Sequence, residues 1–299
     1  IADLGATVVP MYTTISNKSL VAAIHSTDIS YIIGRKVSLE RALDAPQQEQ
    51  DVFPIPRDHC IVLDGCLDGC HNFGEIQNTV SKTYGLGAQN FEEEQDFILT
   101  MTSGSTNEPK PIVFTQGTKI RRCFNAKEVY GLTEKDVILV ATPLYHSISQ
   151  RLVLAPLILG GTSVIMRKFT PGNWLSQVSG NKITFTIAVA SQLEALLGPA
   201  KKTDYDISSL RCVVSCCALI SDAVKKRLIN ELKCDFHECY GTSEVGVISN
   251  LSNKDPFEKV HTVGRAVPNV DIKIVDSKRN IVGLNTVGEI ICSSAMRFS

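Results

Sequence analysis

The chain lacks an excess of charge of either sign. Thirty Lys and Arg stand against 31 Asp and Glu in 299 residues, a formal net charge of -1. Proteins whose main partner is nucleic acid carry a clear basic surplus, so that class of partner is not expected. A long hydrophobic run is also missing. The most apolar stretch, LVLAPLILGGTSVIM at 152–166, is interrupted by Pro156, Gly160 and Gly161, whereas a membrane span needs about 20 apolar residues. It reads instead as a buried helix, a Gly-Gly turn and a buried strand. No secretory leader is visible and the first residue is Ile1 rather than Met, so the start is read as internal to a longer protein. There is no internal repeat and no low-complexity linker. No paired C-x-x-C unit occurs, and the crowded CIVLDGCLDGCH at 60–71 does not match a common zinc spacing. There is no Walker A loop either: Pro109 stands where G-x-x-x-x-G-K-[ST] needs its second glycine.

What is present is ordinary globular material, with 43% hydrophobic and 20% charged residues. The length suits one large domain or two smaller ones. The ten cysteines sit largely in apolar, strand-like runs such as LRCVVSCCALI. A secreted disulfide scaffold would be shorter and richer in loops, so reduced, buried thiols in a cytoplasmic protein are expected. Short apolar strands alternate with amphipathic helical stretches, which predicts an α/β fold of stacked, mainly parallel sheets with helices. Helix then strand is predicted over 17–33, helix and exit turn over 77–87, and a strand over 97–101. A helix over 117–132 ends at Gly131, and a strand comes next over 136–144. Helix–strand–helix is predicted over 173–198, a strand over 208–216, a helix over 221–232 capped by Ser221, and a strand from 235. After about residue 260 the texture changes to short strands at 270–276, 280–284 and 288–294. A body over 1–259 and a small β-rich, barrel-like unit over 260–299 are therefore expected.

Three polar segments interrupt this pattern. TSGSTNEPKP at 102–111 places four hydroxyls, a glycine and Lys110 between two strands. Hydroxyls and successive N–H groups in a turn form a concave donor surface for phosphate oxygens, and a lysine adds a point charge. A solvated Ser/Thr turn is the plainer alternative. YGTSEVG at 240–246 offers an aromatic ring, a glycine for close approach, two hydroxyls and Glu244. A carboxylate beside a phosphate needs a cation between them, and Mg2+ takes one or two carboxylates plus substrate phosphates. PLYHS at 143–147 puts His146 just past a buried strand, where ligand crevices of α/β sheets form.

Taken in order, MTSGSTNEPKP, PLYHS and CYGTSEVG resemble the signature segments of adenylate-forming (AMP-binding) enzymes of the acyl- and aryl-CoA synthetase type. LGATVVPMYTTIS, YDISSLRCVVSCCALIS and VGRAVPNVDIKIVD are similar to further parts of that family, so the resemblance covers nearly the whole chain. It implies an ATP-dependent acid–thiol ligase: a carboxylate attacks the α-phosphate of ATP, giving acyl-adenylate and pyrophosphate, and coenzyme A then takes the acyl group. It implies that Thr102, Ser103, Gly104, Ser105, Thr106 and Lys110 hold the outer phosphates. Cys217, Ala218, Tyr240, Gly241 and Thr242 would lie beside the nucleotide. Ser243 would sit near the α-phosphate, Glu244 would hold Mg2+, and His146 would line the acyl entrance. The implied partners are a small carboxylic acid, ATP and coenzyme A.

The departures bear on substrate more than on fold. Asn107 and Pro111 replace usual glycines, Cys216 and Cys217 replace a glycine-rich pair, and Cys239 stands at a frequent glycine near the acyl pocket. The later ribose-binding aspartate and the small C-terminal lid domain with its lysine lie beyond the family segments this sequence matches. The isolated 299 residues are therefore expected to bind nucleotide but not to complete thioester formation. A non-catalytic nucleotide-binding module and a ligase that loads a carrier protein are the alternatives. Over 146–150, 188–191, 215–218 and 239–246 the only charged side chain besides His146 is Glu244, which points to a neutral aryl or medium acyl group.

Overall fold

The computed structural model describes residues 4–44, 52–79, 92–103, 109–197 and 204–297. Gly104, Ser105 and Thr106 of the expected phosphate loop lie outside the described residues, as does most of the helix and turn expected at 77–87. The chain divides into two compact units, residues 1–92 with 96–113, and residues 93–95 with 114–299.

The first unit opens with α1 (Asn17–Thr27), which Ser16 caps by accepting from the Ser19 N–H at 3.1 Å. Next come β1 (Ile32–Gly34), α2 (Lys36–Leu43), β2 (Cys60–Val62), β3 (His71–Asn72) and α3 (Phe73–Thr79). Strands β1, β2 and β3 form a parallel sheet over a core that includes Ile15, Leu20, Ile24 and Cys60. Burial pushes the Cys60 thiol up to about 11, with neighbouring Cys70 adding to it. A separate two-stranded sheet pairs β4 (Asp96–Ser103) with β5 (Pro109–Thr115). Val8 bridges to β4 through its N–H to Phe97 O and its carbonyl to Leu99 N, each at 2.9 Å.

The second unit contains α4 (Gln116–Tyr130), β6 (Val137–Val140), α5 (Ser147–Leu159), β7 (Thr162–Ile165), α6 (Pro171–Asn181) and β8 (Phe185–Val189). It continues through α7 (Ala190–Leu196), β9 (Cys212–Cys216), α8 (Asp222–Leu232), β10 (Asp235–Thr242), β11 (Gly246–Ser252), β12 (Arg265–Ala266), β13 (Val270–Val275) and β14 (Glu289–Ser294). One seven-stranded sheet runs β7-β6-β8-β9-β10-β11-β12. Its first five strands pair in parallel, and the β10–β11 and β11–β12 pairings are antiparallel. Period-two alternation sorts its side chains onto two cores. Ile138, Val140, Phe185, Ile187, Val214 and Cys216 face α4 and α5. Leu139, Ala188 and Val213 face α6, α7 and α8, with Trp174 at the centre of that layer. At the amino ends of the strands, Asp136 accepts a forked pair of bonds from Arg211 at 2.7 Å each, and bonds from Thr184 Oγ1 at 2.6 Å and Thr133 N at 2.7 Å. Burial alone would raise the Asp136 carboxyl, but these donors outweigh it and hold it below the usual range. That end of the sheet is fixed, leaving the opposite end to carry loops.

In the second unit the helices fall where the pattern placed them. Gly131 ends α4 in the left-handed region with φ 63, and Ser221 caps α8. Two expectations are corrected. Strand β7 is not buried: it is the edge of the sheet, and Ile165 is 54% exposed. No sheet among the described residues closes into a barrel. Strands β13 and β14 form a two-stranded antiparallel pair, and 280–284 contributes one bridge, Ile281 to Val275, rather than a strand. The physical reason is the turn before it. Asp276 accepts from the backbone of Lys278 at 2.8 Å and Asn280 at 2.9 Å, so the backbone is satisfied locally and Leu284 is left facing solvent. Among the described residues no helix is long and apolar enough to cross a membrane.

Candidate nucleotide and acid site

The parallel strands reverse order between β6 and β8, since β7 lies on one side of β6 and every later strand on the other. Open α/β sheets bind ligands at the carboxyl ends of the strands at such a switch point. A cavity of about 400 Å3 lies there in the second unit, bordered by residues just beyond the ends of β6, β8, β9 and β10.

From β6 come Thr142 and His146. His146 is the N-cap residue of α5, its N–H donating to Pro143 O at 3.1 Å and its carbonyl accepting from Gln150 N at 3.2 Å. Beneath it the Thr142 and Ser149 hydroxyls share a buried hydrogen bond of 2.5 Å, which ties the strand end to the helix. His146 keeps an exposed edge at the cavity mouth, and partial desolvation holds its imidazole below the usual range.

From β9 come Cys216 and Cys217. Cys217 adopts φ 69, a left-handed conformation that a side chain disfavours. That strain explains why a glycine suits this place, in line with the glycine-rich pair that the resemblance implies. The two sulfurs lie 3.6 Å apart. The contact lowers the Cys217 thiol to about 7, with the Arg151 guanidinium helping and desolvation opposing. Cys216 is pushed up by its bonds to Cys217 and Cys239. Ala218, the next residue, is exposed and does not border the cavity.

From β10 comes the hairpin with β11. Its register slips between Tyr240 and Gly241, after which Gly241 pairs with Val247 and Thr242 with Gly246. Such a bulge bends a strand and re-aims the residues beyond it. Gly241 is required here, because a Cβ would collide with the Gly246 carbonyl oxygen. Gly241, Thr242 and Ser243 border the cavity, while Tyr240 packs beside Val247 and Ile248 instead. The Glu244 side chain lies outside the residues that border it.

The turn is held by a residue to which no sequence motif points. Arg122, on α4 and 2% exposed, donates to Met296 O at 2.9 Å and to Ser243 O and Glu244 O at 3.0 Å each. Its guanidinium also lies 4.4 Å from the Phe114 ring. Burial, then Arg151, work against its charge, and Glu244 supports it. Nothing in the local sequence marks Arg122, since the three carbonyls that it holds lie 121 or more residues away. Behind it Lys119 donates to Gln150 Oε1 at 2.5 Å over the same ring. Arg151, which follows the 146–150 stretch, borders the cavity too. The pocket wall therefore carries two guanidinium groups, those of Arg122 and Arg151.

Lys110 lies exposed on β5 of the first unit. Thr102 and Ser103 occupy the end of β4. Among the described residues no group of three His, Cys, Asp or Glu side chains is placed to hold a metal ion. Glu244 therefore offers one carboxylate, which fits a magnesium ion held mainly by substrate phosphates.

The second unit is thus a two-faced α/β sheet with an arginine-bordered cavity at the carboxyl ends of its strands. The profile of one family, AMP-binding enzyme, matches residues 1–299, and the chain belongs to that family. It is 26% identical over 308 residues to the acyl-CoA ligase sidI of Aspergillus fumigatus, covering 97% of this chain and 52% of that protein. It is 30% identical over 252 residues to 4-coumarate--CoA ligase 3 of Oryza sativa subsp. japonica, covering 77% of this chain and 43% of that one. The chain thus spans about half the length of these curated relatives. In fold it is similar to the luciferase-like enzyme of the Zophobas morio mealworm, with TM-score 0.85 and 21% identity over 100% of this chain and 70% of that one. It is also similar to the amide bond synthetase McbA of Marinactinospora thermotolerans, with TM-score 0.82 and 23% identity over 95% of this chain and 55% of that one.

Proposed function

We propose that the protein activates a carboxylic acid with ATP, forming an acyl-adenylate and pyrophosphate, and passes the acyl group to a thiol, with coenzyme A as the acceptor. The observation that carries this reading is convergence: His146, Cys217, Gly241, Thr242 and Ser243 come from three strand ends to one cavity. The in-line displacement at phosphorus needs positioning and charge neutralisation more than covalent help. In this reading the bulged hairpin presents the N–H groups and hydroxyls of Gly241, Thr242 and Ser243 to the α-phosphate. Arg122 keeps that turn in place through its carbonyls and adds positive potential behind it. His146, held low in pKa by desolvation, is neutral at pH 7 and borders the acid's entrance without competing for its charge. Thr102, Ser103, Gly104, Ser105, Thr106 and Lys110 hold the outer phosphates and Glu244 holds Mg2+, while Tyr240 and Ala218, which do not border the cavity, are given no contact with the nucleotide. The metal supplies charge neutralisation between carboxylate and phosphates when bound. The hydrogen-bonding role of coenzyme A is assigned to no residue.

Calorimetric titration with ATP·Mg2+ tests this, with and without Glu244→Gln. Binding that the substitution weakens supports the assignment. ATP·Mg2+ binding of equal strength in both proteins would refute the metal role of Glu244, and no binding to the parent chain would refute the nucleotide site.

A further inference from the structure

The two arginines of the cavity wall are in opposite states. Arg122 is fully engaged by three backbone carbonyls. Arg151, in the second turn of α5, borders the same cavity with its Nε buried and without a hydrogen-bond partner. Among the described residues no carboxylate pairs with it and none borders the cavity. Its charged neighbours are cations, Arg122 and Lys119. The remaining groups that feel its field are thiols and a phenol: Cys123, Cys217, Cys239 and Tyr130.

A guanidinium half out of water without a counter-ion is unfavourable to hold. Proteins keep such a group where a ligand supplies the missing charge. The acid's reacting carboxylate belongs at the Thr242–Ser243 turn, beside the phosphate it attacks. Arg151 borders the cavity from a different element, α5, five residues beyond His146 and so about 7.5 Å from it along the helix axis. We infer that Arg151 recognises a second anionic group on the acid, so that the pocket selects dicarboxylic acids over monocarboxylic acids of the same length. This rests on the acid-activating reading above. It replaces the neutral acyl group expected from sequence. A planar fork with five donors suits a carboxylate at both of its oxygens, and a monoacid presents only an alkyl or aryl end that leaves the guanidinium desolvated and unpaired.

The test is calorimetric titration with matched acids, straight-chain α,ω-diacids of four to ten carbons against the monoacids of equal length, and terephthalate against benzoate. It is run on the parent protein, Arg151→Gln and Arg151→Lys, and ATP·Mg2+ is titrated in parallel. At least one diacid is expected to bind about tenfold or more tightly than its monoacid partner. Arg151→Gln is expected to remove that preference and Arg151→Lys to retain part of it. Equal or tighter binding by the monoacids, binding by neither series, or a preference that survives Arg151→Gln would each overturn the inference. Loss of ATP·Mg2+ binding by the parent protein would instead sink the adenylation reading, and the acid comparison would still decide the role of Arg151.

Discussion

Replacing Arg122 by methionine keeps the volume and the apolar stem but removes every donor. Three backbone carbonyls at 2.9–3.0 Å, those of Met296, Ser243 and Glu244, then lose their partner in a buried setting. Each bond to a charged donor contributes about 1.5–3 kcal/mol, and burying the guanidinium costs several kcal/mol in the other direction. The asymmetry decides the sign: the acceptors stay buried while the donor disappears. A loss of about 3–5 kcal/mol is expected. At about 2–4 °C per kcal/mol for a unit of this size, the melting temperature should fall by roughly 6–20 °C. Because two of the acceptors are the turn that faces the cavity, ATP·Mg2+ affinity should fall as well, measured below the melting transition. Arg122→Lys should recover only part of both, since an ammonium cannot span three acceptors as a planar fork can. The assay is thermal unfolding by circular dichroism with a parallel nucleotide titration. An Arg122→Met protein that melts within about 2 °C of the parent and binds ATP equally well would show that the carbonyls find water or other donors and that Arg122 does not hold the turn.

Lys225 and Glu238, 1% and 3% exposed and 2.5 Å apart, should each cost about 3–5 kcal/mol when replaced singly by Met and Gln; a double variant as unstable as the sum of the two in urea would contradict a coupled pair. Burial first, then Arg122 and Arg151, lower the Lys119 amine to about 6 from 10.5. The folded state therefore binds fewer protons than the unfolded one between those values. Stability should rise with pH from about 6 towards 10.5, by less than about 1.4 kcal/mol per pH unit because the Phe114 ring favours the cation. Lys119→Met should flatten that rise, and a parent protein equally stable to urea at pH 6.5 and 9 would count against it. Cys217 should be the thiol that iodoacetamide labels first at pH 7 and the one ATP protects; labelling at an unchanged rate in Cys217→Ser would point to another cysteine. Gly241→Ala should lower nucleotide affinity by forcing the hairpin open around the Gly246 carbonyl, and an unchanged titration would argue that the bulge yields at little cost.

The helices and parallel strands were legible because their information is local. Ser221 before an apolar-periodic run, Gly131 after one, and the continuous apolar run in CVVSC, which is buried at every position, all act within a few residues. The polar segments PLYHS and YGTSEVG are local in the same way, and His146, Cys217, Gly241, Thr242 and Ser243 border one cavity. What sequence could not supply was anything set by sheet order. Ile165 reads as a buried strand residue, but nothing within the strand says that β7 is an edge. The apolar run at 280–284 looks like a strand until the Asp276 turn satisfies the backbone ahead of it. Arg122 and Arg151 sit inside helices whose patterns give them no distinction, and their importance comes from partners, or from the want of one, that only the fold brings near.

The reach of Arg122 also sets a timetable. Its acceptors on the hairpin turn are 121 and 122 residues downstream, and the third is 174 residues downstream. At synthesis rates of about 5–20 residues per second, the last acceptor leaves the ribosome roughly 9–35 s after the arginine does. Throughout that interval α4 and the strand ends can assemble, but the guanidinium has no complete set of oxygens to enter the interior with. The cavity wall is thus among the last parts of this unit able to close, and a nascent chain halted before Met296 would present it open to water and to chaperones.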